Sequence, residues 1–175
     1  MKKIAILFSN GTEEIEALTP VDVLRRAGVE CDIVSVCGEF PKGSHDITVK
    51  ADKLIEDIDF NNYGGIVIPG GLPGAQIIAD NEIVKNIVKS ALADDKMVAA
   101  ICAAPALALA ANGFVCGKKI TCYPAQAFID AVNKCANYTG KDVEVDGNII
   151  TANGPRSAFA FSKAICDFLG VTAKF

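Results

Sequence analysis

Short apolar runs alternate along the chain with longer segments in which apolar positions recur at helical spacing. The runs are apolar on both faces, which is typical of strands buried in a parallel sheet, whereas a period near 3.6 residues indicates amphipathic helices. Strands are predicted at 3–8, 30–36, 65–69, 97–101 and near Ile120, and helices at 13–27, 81–93, 105–111, 125–132 and 157–169.

Local signals support several of these boundaries. Gly28 closes the first predicted helix, and in the helix at 81–93 Ile83, Ile87 and Val88 are predicted to share one face. Residues 38–62 form a more polar region with room for a short hairpin, and Asp146-Gly147 is a hairpin turn signal near the C-terminus.

Strands interleaved with helices predict a mostly parallel central sheet covered on both sides. We therefore expect one α/β domain over residues 1–175, a flavodoxin-like three-layer α/β/α sandwich. Binding sites in such sheets lie at the carboxyl ends of the strands. Residues 9–16, 69–76 and 102–105 occupy those positions.

Composition narrows the classes of function. A net charge of −4 without clustered basic residues argues against binding to nucleic acid or to membrane surfaces. No apolar run reaches the length of a membrane span, and the polar residues 9–14 follow residues 1–8 at once, which favours a first strand over a signal peptide.

Seven cysteines and one histidine provide no CxxC pair and no Cys/His zinc pattern. Most of the cysteines are predicted to lie in strands or helices as small packed hydrophobes. Free thiols in this number suit a reducing cytoplasm, and no metal is expected.

Cys102 is the first candidate for chemistry. It follows the strand at 97–101 and precedes Pro105, a residue favoured at the first position of a helix, so it is predicted on a sharp strand-to-helix turn. Amides at the start of that helix would lower the thiol pKa and could hold an oxyanion on a substrate. Periodicity alone fits equally well a small buried cysteine with no function.

Gly70 and Gly71 end the preceding strand. Glycine allows a backbone conformation in which an amide points into a pocket, although the pair could equally form a plain turn. The chain contains neither GxGxxG nor GxxxxGK[ST], so no dinucleotide cofactor is expected.

Three acidic residues open the first helix. Glu13 and Glu14 are predicted to be surface charges that compensate the helix dipole, whereas Glu16 lies further in and could face the end of the sheet. A carboxyl buried beside a thiol would have a raised pKa, would hydrogen-bond the sulfur and could move a proton.

Together these segments resemble the ThiJ/PfpI superfamily, specifically its parkinsonism-associated protein deglycase-like branch. The resemblance extends almost from end to end. It rests on the motifs GTEEIE at 11–16, PVDVLRRAG at 20–28, PGGLPGAQ at 69–76, AAICAAP at 99–105 and NGP at 153–155.

The resemblance implies roles for individual residues. Cys102 matches the reactive cysteine of the family, Glu16 its acidic partner, and Gly71 and Ala103 the oxyanion amides, with Gly70 in the same backbone pocket. The family also implies a homodimer, with the first helix and residues 44–46 near the interface and the pocket. Tyr123 occupies the position where many members carry a histidine, and His45, the only histidine, is a surface or interface residue that could approach a partner's pocket.

The activity implied is that of a cofactor-independent glyoxalase or deglycase acting on methylglyoxal, glyoxal or their early adducts. One alternative is a non-enzymatic oxidative-stress sensor or chaperone that responds to oxidation of Cys102. A thiol amidase or peptidase is a weaker alternative because such enzymes need a histidine beside the cysteine.

Overall fold

The structure is a computed structural model that describes residues 2–175. Its strands are β1 Lys3–Phe8, β2 Cys31–Ser35, β3 Lys53–Leu54, β4 Tyr63–Ile68, β5 Met97–Ile101, β6 Lys119–Ile120, β7 Asn137–Tyr138, β8 Val143–Asp146 and β9 Ile149–Ala152. Its helices are α1 Glu14–Arg26, α2 Gly74–Asp80, α3 Glu82–Ala93, α4 Gln126–Asn133 and α5 Ala158–Phe168, with a π-helix at Pro105–Ala110.

Seven strands form the central sheet in the order β3-β2-β1-β4-β5-β9-β8. All neighbouring pairs are parallel except β8 and β9, which form the hairpin predicted at Asp146-Gly147. The order reverses direction between β1 and β4, so the carboxyl ends of β1, β4 and β5 lie side by side at the position where doubly wound sheets bind ligands.

Two apolar cores cover the two faces of the sheet. Side chains of β1, α1 and α5, including Phe8, Leu24 and Phe161, form one of them. Side chains of β4, α2, α3, α4 and the π-helix, including Ile68 and Leu109, form the other. This arrangement confirms the predicted three-layer α/β/α architecture with a mostly parallel sheet.

Several short elements differ from the predictions. Helix α2, strand β3 and strand β7 were not predicted, and β6 and β7 pair with each other in a separate small sheet. Residues 38–62 hold a single antiparallel bridge, Lys42 to Thr48, rather than a full hairpin. The helix after Cys102 begins as predicted but is wound as a π-helix, a form that often occurs at functional sites.

The packing face of α3 is also shifted from the prediction. Ile83 is 40% exposed, whereas Val84, Ile87, Val88 and Ala91 are buried. These four positions follow the spacing of one helix face, and Ile83 lies beside that face.

The cysteines are placed differently from expectation. Only Cys31 and Cys166 lie within a strand or helix, and Cys37 and Cys116 are exposed. In the part of the chain that the structure describes, no helix has the length and apolar character needed to cross a membrane.

Candidate active site

Three adjacent strand ends build the candidate site. Thr12 follows β1 in a tight turn, in which its hydroxyl accepts a hydrogen bond from Ser9 N at 2.9 Å. Gly70 follows β4, and its carbonyl accepts a hydrogen bond from Glu13 N at 3.1 Å. Cys102 follows β5. The loops after β1 and β4 are therefore joined through their backbones, independently of the side chains of the site.

Cys102 has a left-handed backbone conformation, with φ of +66°. Few residues other than glycine adopt this region, and strained backbone of this kind concentrates at functional sites. Two backbone hydrogen bonds hold the turn in place, from Cys102 N to Ala152 O at 2.9 Å and from Tyr123 N to Cys102 O at 2.7 Å. The predicted sharp turn is present, and its side chain is partly exposed.

Glu16 lies beside Cys102, as the sequence predicted. Its side chain is fully buried, and Oε2 accepts a hydrogen bond from Gly70 N at 2.8 Å, while Oε1 has no hydrogen-bond partner among the described residues. The position of Glu16 is fixed by α1, whose first turn is capped by Glu13 through a bond from Glu16 N to Glu13 Oε2 at 3.1 Å.

Gly70 packs against both the carboxyl and the thiol. A Cβ at this position would lie 2.5 Å from Glu16 Oε2, 2.6 Å from Cys102 Cβ and 3.1 Å from Cys102 Sγ. Only a residue without a side chain fits between the two groups, which accounts for one of the two glycines of the predicted backbone pocket.

Burial raises the pKa of Glu16 to about 7, and the charge of Glu13 adds to the effect, although the Cys102 thiol and the Gly70 amide oppose it. Burial also raises the pKa of the Cys102 thiol, to about 12, with a further contribution from Glu16. The pair therefore releases its first proton near neutral pH and its second only in alkaline solution.

The predicted lowering of the thiol pKa is therefore wrong. The backbone amides of Gly71 and Ala103 do favour the thiolate, as expected, but burial and the neighbouring carboxylate outweigh them. At neutral pH the pair combines a thiol with a carboxylate that can accept its proton, which is the arrangement of a nucleophile with a general base.

Glu13 and Glu14 are not the surface charges that were predicted. Both are buried, because the loop at 42–47 folds over them: His45 N donates to Glu14 Oε1 at 2.7 Å, and His45 Nδ1 lies 2.9 Å from Glu14 Oε2. Burial acts against the charged form of Glu14, but the hydrogen bonds from His45 outweigh it and lower its pKa. This contact joins residues far apart in sequence, so no local pattern signalled it.

His45 is exposed and is engaged with these carboxylates. The hydrogen bond with Glu14 raises the pKa of the imidazole. Glu13, Glu14 and His45 could offer metal-ligand atoms within 4.8 Å of one another, the one such group among residues 2–175. Their mutual contacts already account for the arrangement as an ion-paired cluster at the start of α1.

Tyr123 lies at the edge of the site. Its backbone N–H donates to Cys102 O, the residue is 45% exposed, and its ring lies beside Gly154. With Pro124, Asn153, Pro155 and Arg156 it lines a surface cleft of about 480 Å³. Arg156 and Asn153 were not singled out from the sequence, although Asn153 lies in a motif that carried the resemblance.

The chain is similar to known proteins over almost its whole length. A family model described as DJ-1/PfpI family matches residues 2–167. Protein DJ-1 homolog B of Arabidopsis thaliana is 38% identical over 169 residues, which are 96% of this chain but 38% of that protein. Parkinson disease protein 7 homolog of Danio rerio is 33% identical over 170 residues, 96% of this chain and 89% of that protein.

A solved structure, described as Toxoplasma gondii DJ-1, oxidized, superposes with a TM-score of 0.90 at 36% identity. The superposition covers 97% of this chain and 91% of the Toxoplasma chain. The chain thus spans less than half of the Arabidopsis relative and nearly all of the Toxoplasma structure.

Proposed function

Because the chain belongs to the DJ-1/PfpI family, we propose that it is a cofactor-independent glyoxalase or deglycase that acts on methylglyoxal, glyoxal or their early adducts through Cys102. One observation carries the proposal: the Cys102 thiol lies beside a buried carboxyl whose pKa is close to neutral, with two backbone amides directed at the sulfur.

The first step is addition of the thiol to the aldehyde. Glu16, as the carboxylate, accepts the thiol proton while the sulfur forms a bond to the aldehyde carbon and the C=O π bond breaks. A base with a pKa near 7 is well matched to this task at neutral pH. The amides of Gly71 and Ala103 stabilise the oxyanion, which takes the proton from Glu16 to give a hemithioacetal and leaves Glu16 as the carboxylate again.

The second step moves hydrogen within the bound substrate. For methylglyoxal, Glu16 removes the proton from the former aldehyde carbon and passes it to the ketone oxygen, giving an enediol. The hydroxyl on the former aldehyde carbon then gives its proton to Glu16, which passes it to the neighbouring carbon. The product is a thioester of lactate on Cys102. Water then cleaves the thioester and releases lactate and the free thiol, so the net reaction adds one water to the ketoaldehyde.

A second candidate function is a redox sensor or stress-protective chaperone, in which Cys102 is oxidised to a sulfinic acid. Two observations favour it: the similar Toxoplasma structure is described as oxidized, and Glu16 retains a proton in part of the population near pH 7. A protonated Glu16 could donate a hydrogen bond to a sulfinate oxygen. The raised pKa of the Cys102 thiol counts against spontaneous oxidation, since the thiolate is the reactive form.

A thiol amidase or peptidase remains the weaker alternative. The chain has one histidine, and its ring is paired with Glu14. Tyr123, at the position where many members carry a histidine, offers a phenol at the cleft but no imidazole to act as a base at neutral pH.

The homodimer expected from the family is part of the proposal. Ile15, Ile47 and Leu72 are all more than half exposed, at 52%, 51% and 60%. Ile15 lies in the first turn of α1. The loops that carry Ile47 and Leu72 lie next to this turn, because Ser44 N is bonded to Thr12 O and Glu13 N to Gly70 O. An apolar patch of this kind is typical of a protein–protein interface, and it lies close to the candidate site.

Lactate formation tests the enzymatic proposal. Methylglyoxal is supplied in buffer free of glutathione and metals, and lactate is measured for wild type, Cys102→Ser and Cys37→Ser, the last being an exposed cysteine outside the site. We expect wild type and Cys37→Ser to form lactate at equal rates and Cys102→Ser to be slower by at least about 100-fold.

Equal rates in wild type and Cys102→Ser would contradict the proposal. If wild type forms no lactate while mild peroxide adds two oxygens to Cys102, the sensor function is supported instead.

A further inference from the structure

A second pair of thiols lies away from the candidate site. Cys116 is in the loop after the π-helix, and Cys135 follows the end of α4. Gly117 N donates a hydrogen bond to Cys135 O at 2.6 Å, and Asn137 N donates one to Lys118 O at 2.8 Å. These two bonds continue the pairing of β6 with β7 toward the N-terminal side of both strands. The backbones at Cys116 and Cys135 therefore run next to each other.

The Cys135 side chain also lies near Cys116. Its Sγ donates to Ala110 O at 3.7 Å, and the Cys116 thiol is close enough to act on its pKa. Burial, and then the neighbouring Cys116 thiol, raise the pKa of Cys135 to about 11. Cys116 is exposed and Cys135 is half-buried, so an oxidant in solution meets Cys116 first.

We propose that Cys116 and Cys135 form a reversible disulfide when the protein meets a hydroperoxide. The pair joins adjacent backbones, and one thiol is open to solvent while the other is held behind it. In a reducing compartment such a bond is expected to be transient and to act as a redox signal rather than as a permanent crosslink.

The reaction needs only the two thiols and the hydroperoxide. The Cys116 thiolate attacks the O–O bond, gives a sulfenic acid and releases an alcohol, or water if the oxidant is hydrogen peroxide. The Cys135 sulfur then attacks the sulfenic sulfur, the S–S bond forms and water leaves. Two thiols lose two electrons and two protons, and the peroxide takes up both.

The disulfide would crosslink the two ends of one segment. Residues 117–134 lie between the two cysteines and carry α4 and Tyr123, whose backbone N–H is bonded to Cys102 O. Because a crosslink restricts the unfolded chain and limits local opening, oxidation is expected to stiffen the segment that borders the cleft beside Cys102.

Peptide mapping after oxidation tests the proposal. The protein is treated with one equivalent of hydrogen peroxide, alkylated, digested without reductant and analysed by mass spectrometry. We expect a crosslinked peptide containing Cys116 and Cys135 that disappears on treatment with dithiothreitol, together with slower amide hydrogen exchange in residues 117–134 of the oxidised protein.

Matched variants make the outcome decisive. Cys37→Ser and Cys102→Ser should still form the crosslink, whereas Cys116→Ser and Cys135→Ser should not, and Cys135→Ser should leave Cys116 as a sulfenic acid that a dimedone probe captures. If wild type also leaves Cys116 as a dimedone-reactive sulfenic acid, or if both cysteines remain fully alkylated as thiols, the proposal is wrong. None of these outcomes depends on lactate formation, so the result stands apart from the proposed enzymatic function.

Discussion

Gly70 leaves room for the candidate carboxyl and thiol, because a side chain at this position would enter the space occupied by Glu16 and Cys102. A methyl group there would overlap Glu16 Oε2 at 2.5 Å and Cys102 Cβ at 2.6 Å. We predict that Gly70→Ala destabilises the protein by about 1–3 kcal/mol through overpacking and lowers lactate formation by at least about 10-fold.

Gly64→Ala is the matched control for Gly70→Ala. The added methyl group would lie no closer than 3.4 Å to Lys2 Cβ, in ordinary contact. Urea unfolding and lactate assays on both variants make the comparison, and a Gly70→Ala protein with the stability and rate of Gly64→Ala would contradict the close packing of the site.

The raised pKa of Glu16 also predicts how stability changes with pH. In the folded protein this pKa is about 7, against 4.5 for an ordinary glutamate, so the folded state holds a proton that the unfolded state has released between these two values. The contribution of Glu16 to the free energy of unfolding therefore falls as pH rises through that window, by on the order of 3 kcal/mol.

Glu16→Gln isolates this effect because it has no proton to lose. Urea unfolding near pH 4 and near pH 8 should show wild type losing stability relative to Glu16→Gln at the higher pH. A difference between the two proteins that does not change with pH would mean that the Glu16 pKa is not raised.

At the scale of residues, the sequence predicted where individual side chains lie better than it predicted their pKa values. Cys102 at a strand end and Glu16 in a helix turn were candidates from their positions, and the family motifs favoured a functional role for both over plain packing. The direction of the thiol pKa was wrong because burial and the charge of Glu16 depend on packing between α1 and β5, which no local pattern contains.

At the scale of elements, a side-chain cap fixes the start of one helix. Asn81 starts α3, and its Oδ1 accepts hydrogen bonds from Ile83 N at 3.0 Å and Val84 N at 3.1 Å. We predict that Asn81→Ala lowers the free energy of unfolding by about 1 kcal/mol without affecting lactate formation, and that Asn81→Asp retains most of the stability. Thermal unfolding of the two variants checks this, and equal midpoints for Asn81→Ala and wild type would contradict the cap.

The strands that were not predicted are very short. Strands β3 and β7 have two residues each, and their pairing partners, β2 and β6, come from elsewhere in the chain. Such short strands carry no periodicity of their own, so tertiary contacts decide them. The buried strands β1, β4 and β5, in contrast, are apolar enough to be recognised from sequence alone.

At the scale of the whole molecule, the alternation of strands and helices was sufficient to predict the three-layer architecture. It also predicted where the candidate site would lie, because three adjacent parallel strands deliver residues 9–16, 69–76 and 102–105 to one edge of the sheet. The closure of the loop at 42–47 over Glu13 and Glu14 could not be predicted, since it depends on His45, which lies 31 residues from Glu14 along the chain.

The proposed dimer leads to a prediction at this scale. Ile15 is 52% exposed and belongs to the apolar patch, so Ile15→Glu should place a charge in the interface and shift the protein toward monomer. Ile83→Glu, on the opposite face of the sheet and 40% exposed, is the matched control. Sedimentation velocity distinguishes the two, and an Ile15→Glu protein that sediments like Ile83→Glu would place the interface elsewhere.

The pH dependence of lactate formation by wild type and Glu16→Gln tests the central claim, that Cys102 acts with Glu16 as its base, most directly. Between about pH 5 and pH 9, the wild-type rate should rise with an apparent pKa near 7, because the carboxylate must be ionised to accept the thiol proton. Glu16→Gln should be slower by at least about 100-fold and should lack this rise. A Glu16→Gln protein that keeps the wild-type rate and profile would contradict the account.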